Sequence, residues 1–75
     1  MRESLIAQER LLTHKGHIRR FVIEPAKLEG WVVREELDSA VLDRSRFGDW
    51  HRLERAVRTK ISMLEREGWG LQPSR

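Results

Sequence analysis

A chain of 75 residues without cysteine is a single small domain. It buries only about 60 to 65 % of its unfolded surface and has no disulfide or thiolate metal site to reinforce its core. At 39 % hydrophobic and 36 % charged residues, with a net charge of +3, it reads as globular rather than disordered, and the two signs are too interspersed to make a simple phosphate track. No apolar run approaches the ~20 residues of a membrane-spanning helix, and the opening Met1–Glu9 is too short and polar for a signal peptide. A cytoplasmic protein is therefore expected, and the excess of arginine over lysine suits a bacterial source.

Ser4 to Lys15 is expected to form a short helix, with Ser4 as N-cap, Gly16 just past the end, and Leu5, Ile6, Leu11 and Leu12 as its apolar stripe. Two other readings stay open. Arg10 to Thr13 can pair with the next strand around a turn at Lys15-Gly16, or the first dozen residues can fray as termini do.

His17 to Glu24 reads as a strand, because Phe21, Val22 and Ile23 are strand formers and apolar residues alternate along it. Pro25, which has no amide proton to donate, ends it. Trp31 to Glu36 is the second strand, with Trp31 and Val33 on the core row. Leu37-Asp38-Ser39 makes a turn, and Ala40 to Arg44 is a shorter third strand, on which Arg44 shares a face with Ala40 and Leu42.

The stretch Gly48 to Trp69 is the most explicit. Trp50, Leu53, Val57, Ile61 and Leu64 recur at helical spacing. Asp49 is a suitable N-cap. Gly68 sits where a left-handed residue ends a helix, with Glu67 as C-cap and Trp69 placed to touch Leu64. The expected fold is α+β: a three-stranded antiparallel meander packed against one long C-terminal helix, with a short helix ahead of it, in the order α-β-β-β-α. Residues 1–16 form an N-terminal segment, 17–70 the βββα domain, and 71–75 a flexible tail.

Little in this pattern points to catalysis. The serines stand at ends, turns or the outer helix face, with no glycine-framed elbow and no adjacent histidine to activate them. His14 and His17 flank Gly16, and His51 stands alone. Such isolated imidazoles are a weak metal motif, so neither a metal nor a cofactor is expected.

The residues that could contact a partner are Arg20 and Arg34 on the outer sheet face, Arg44 on the third strand, and His51, Arg55 and Arg58 on the outer side of the helix. Glu54, Glu65 and Glu36 are interleaved with them. The far face of the sheet also carries Ile18, Val22 and Val32, which need cover. A non-enzymatic protein-binding or adaptor module that associates with itself as a homodimer is the leading expectation. A nucleic-acid-binding module using the same arginines is the alternative.

Overall fold

The computed structural model describes residues 7–73. Within them, five antiparallel strands form one sheet in the order β4-β3-β2-β1-β5, and one helix lies across it. The elements are β1 Gln8–His14, β2 His17–Pro25, β3 Trp31–Leu37, β4 Ala40–Phe47, α1 Trp50–Arg66 and β5 Gly70–Leu71.

The three-stranded meander with a preceding helix is thus corrected. Within the stretch 4–15, Gln8–His14 is a strand, while Ser4, Leu5 and Ile6 lie outside the described residues. The cause is the turn. Lys15 and Gly16 both take positive φ, 50° and 82°, the signature of the two-residue hairpin turn whose twist matches its flanking strands. His14 then meets His17, and the register runs back to Gln8 opposite Ile23. Leu12, assigned above to a helical stripe, faces α1 and is fully buried.

A second turn of the same kind, Asp38 (φ 50°) and Ser39 (φ 75°), joins β3 to β4 at that end of the sheet. Asp38 ties the two hairpins together. Its amide donates to the Ile18 carbonyl at 2.8 Å, and its carboxylate accepts from the Ile18 amide at 2.9 Å and contacts His17 Nδ1 at 2.7 Å.

The helix follows its sequence signals closely. Asp49 accepts from the His51 amide at 3.1 Å. At the other end the Trp69 amide donates to Leu64 O at 3.0 Å and the Gly68 amide to Glu65 O at 3.1 Å, the paired bonds of a Schellman ending. Gly68 has φ 107°, and a β-carbon there would stand 2.8 Å from His14 Cε1. This ending sends the chain back along β1. Leu71 pairs with Leu12, and the Gln72 amide donates to Leu11 O at 2.8 Å, so Leu71 and Gln72 are bonded into the sheet.

The core lies between α1 and one sheet face. Leu12, Phe21, Ile23 and Val33 from the sheet meet Leu53, Val57, Ile61 and Leu64, with Trp31, Phe47, Trp50 and Trp69 around the rim. Trp31 and Trp50 pack edge to face with centroids 4.7 Å apart, a favoured aromatic geometry.

Two substitutions test this assembly. Leu12→Ala should cost about 2–5 kcal/mol, as for a leucine in any closed core. Gly68→Ala should cost at least about 1–2 kcal/mol, since a β-carbon is disfavoured at that φ and meets His14. Both are read by urea denaturation, and a loss under about 0.5 kcal/mol for Leu12→Ala would place β1 outside the core.

Candidate functional site

The sheet face away from α1 carries a charge lattice. Cross-strand pairing puts Glu9, Arg20, Val22, Glu24, Arg34 and Glu36 on that face. Arg34 donates from Nε to Glu36 Oε2 at 2.7 Å and from Nη1 to Glu24 Oε1 at 3.1 Å. Arg20 reaches Glu36 Oε1 at 3.3 Å and holds Glu9 through its Nε. Glu36 is therefore gripped by two guanidinium groups while only 8 % exposed.

Val22, at the centre, is fully buried. Its cross-strand neighbours are Glu9 and Arg34, and Arg20 and Glu24 flank it along β2. Long charged side chains of this kind lay their aliphatic stems over apolar surface while keeping their heads in water. Of Ile18, Val22 and Val32, the three apolar residues expected to need cover on this face, Ile18 is 48 % exposed. Val22 is already closed over, and Val32 is half-buried.

The Arg34 hydrogen bond is the largest influence on the Glu36 carboxyl. With the positive charges of Arg20 and Arg34, and against the cost of burial, it holds that carboxyl below its ordinary value. The Ile18 amide, followed by His17, does the same for Asp38.

β4 departs from the expected alternation. Glu35 faces Asp43, but Glu36 faces Val41, so Leu42 is an extra residue that forms a β-bulge. The bulge shifts the register, and Arg44 lies opposite Arg34. Arg44 therefore belongs to the far face with Arg20 and Arg34, rather than to the face of Ala40. Arg46, opposite Val32, joins it.

Arg20 and Arg34 are engaged in the lattice. Arg44 and Arg46 are exposed and have no carboxylate within 4.0 Å among the described residues. The same holds for Arg52, Arg55, Arg58 and Arg66 on the outer face of α1, including Arg58, four residues after Glu54. His51 is exposed at the start of the helix. The structure thus separates the six candidate residues: two in the lattice, Arg44 on the edge strand, and His51, Arg55 and Arg58 on the helix. Arg46 was missed, although it alternates with Arg44 in plain view.

On the helix side of β4, Lys60 bridges the helix to the sheet. Its Nζ lies 3.0 Å from Glu35 Oε1 and 3.5 Å from Asp43 Oδ2, and Glu35 first, then Asp43, raise its pKa. Glu35 also accepts from Arg19 at 2.7 Å, and the Arg19 guanidinium lies 4.9 Å from the Trp69 ring, within cation–π range.

β4 is the outermost strand. Among the described residues nothing pairs with its second edge, and six of its eight residues are exposed. Between it and α1 is a hollow of about 30 Å³ floored by Val33, Phe47 and Val57. A larger groove of about 240 Å³ runs between β1 and α1, with Arg10, Arg58, Glu54 and Glu65 on its rim. Its rim charges are mixed and define no convergent set. His14 packs against Trp69 at 5.4 Å and His17 contacts Asp38. Among the described residues no three metal-ligating side chains converge, and no helix is long and apolar enough to cross a membrane.

Comparison with protein-family models, curated proteins and solved structures returns no match.

The lowered carboxyls fix the sign of an acid effect. A carboxyl whose pKa is lower when folded stabilises the fold above its unfolded value, near 4, and that contribution is lost as pH falls through the folded value. Stability to urea should therefore hold from pH 7 to about 5 and fall steeply below about 4. Glu36→Gln should flatten that fall. An unchanged slope in the variant would show that the lattice does not link folding to protonation.

Proposed function

We propose that this chain is a non-enzymatic protein-binding module that takes an extended segment of a partner as an added strand on β4. The observation that carries the reading is the open, eight-residue edge of β4 beside a hollow under α1. An exposed edge presents unpaired amides and carbonyls, and a groove between an edge strand and a helix receives alternate side chains of a docked peptide. The usual protections of an edge are a bulge, charges and short length. Here the bulge at Leu42 stops short of Asp43–Phe47, which pairs regularly with Trp31–Glu35.

A second copy of the chain fits this edge poorly. The antiparallel register that overlays Asp43–Phe47 on itself sets Arg44 against Arg46 of the other copy on both sides of the central Ser45, and like charges directly opposite are destabilising. Sedimentation at micromolar concentration should therefore report a monomer. A stable dimer there would replace this reading with self-association.

The direct test is selection of short linear peptides against the folded chain, with the contact mapped by backbone amide shifts. The expected footprint is Asp43–Phe47. A footprint confined to the groove between β1 and α1 would reject the edge as the docking site.

The exposed arginines of α1 favour a second reading, nucleic-acid binding through Arg52, Arg55, Arg58 and Arg66. It requires binding that weakens steeply with added salt. Failure to retain single-stranded or duplex oligonucleotides at about 50 mM salt would dismiss it.

A further inference from the structure

Building on the edge-docking reading, we propose that the segment taken by β4 alternates acidic, apolar and acidic side chains, with the acidic pair opposite Arg44 and Arg46 and the apolar residue opposite Ser45. In a paired strand, residues directly opposite each other share a face, and their side chains interact. Arg44 and Arg46 lie on the far face, two residues apart. Their inward neighbours on β3 are Arg34 and Val32, neither of which can neutralise them.

The nearest carboxylates on that face are already engaged: Glu36 by Arg20 and Arg34, and Glu24 by Arg34. The acids of that face are thus exhausted one strand short of the sheet's edge. The remaining cross-strand position is on the open side, where an added strand would lie.

The other face sets the middle residue. Ser45 faces α1 between Asp43 and Phe47, and its short side chain leaves the hollow of about 30 Å³ over Val33, Ala56 and Val57. That volume takes the branched tip of one aliphatic side chain rather than an aromatic ring. Lys60 at its mouth lies 3.0 Å from Glu35 and 3.5 Å from Asp43, and Arg19 also holds Glu35, so the charges lining the hollow answer one another. An acidic–apolar–acidic triplet reads the same in either chain direction, so the requirement holds for parallel and antiparallel addition alike. The Leu42 bulge shifts the register before Val41 and Ala40, so the stretch in unbroken register on β4 is Asp43–Phe47, the footprint expected.

The test uses the full chain and three peptides that share a threonine-flanked core: Glu-Val-Glu, Gln-Val-Gln and Lys-Val-Lys. Affinity is measured by amide-shift titration at low salt. The acidic peptide should bind at Asp43–Phe47 roughly tenfold more tightly than the glutamine form, as two cross-strand charge pairs allow. The lysine form should not bind. The exposed double variant Arg44→Glu/Arg46→Glu should reverse that preference, and Arg44→Gln/Arg46→Gln should abolish it.

Equal binding of the acidic and glutamine peptides at β4 would overturn the charge rule while leaving strand addition standing. No β4 footprint with any peptide would overturn strand addition itself. Shifts from the acidic peptide at Arg52, Arg55 and Arg58 instead of β4 would mean that the helix is the anion-binding surface.

Discussion

The carboxylate of Glu36, held between Arg20 and Arg34, is the interaction on which the rest of the structure turns. Among the described residues a single helix covers one face of the sheet, and no second layer of them closes the other. A small domain has little apolar surface to devote to that task. Here charged side chains do it, linked from Glu9 through Arg20, Glu36 and Arg34 to Glu24 around Val22. Each guanidinium answers more than one carboxylate, which satisfies the polar heads while their stems cover the centre of the sheet. Removing one member leaves the remaining charges imperfectly matched, the situation in which part-buried ion pairs matter most.

That arrangement has a consequence at the sheet's edge. The acids of the face away from α1, Glu9, Glu24 and Glu36, lie on β1, β2 and β3, and the lattice engages them. β4 lies beyond it with Arg44 and Arg46 unmatched, and the bulge at Leu42 turns both onto the lattice face. Without the bulge Arg44 would point toward α1, as simple alternation from Ala40 predicts. The same irregularity that shifts the register between Asp43 and Val41 thus places the pair of exposed charges next to it. Edge chemistry and lattice chemistry are one feature seen from two strands.

How far the sequence reveals this structure depends on how local each signal is. Helix α1 was legible to within a residue, since Asp49, the Trp50–Leu64 stripe and Gly68 all act within a turn or two of the backbone. β2 and β3 declared themselves through Phe21-Val22-Ile23 and Trp31-Val32-Val33. β1 did not. Leu11-Leu12 fits a helical doublet as well as a strand, and the decision rests on the Lys15-Gly16 turn and on pairing with Ile18–Ile23. β5 is only Gly70-Leu71 and exists because the Schellman ending returns the chain along β1, far away in sequence. The candidate arginines could be named from strand alternation and helical spacing. Their partners could not, because Arg20 meets Glu9 and Glu36 only once the register is set.

The guanidinium groups themselves report most directly on which charges of this face are already matched. Their Nε–H resonances can be followed by NMR in the free protein near neutral pH. Arg20 and Arg34 should give dispersed, slowly exchanging signals, as hydrogen-bonded donors do, while Arg44 and Arg46 should exchange rapidly near unstructured shifts. Slow exchange at Arg44 and Arg46, matching that of Arg34, would mean that the edge charges already have partners and that nothing is left for an incoming strand to neutralise.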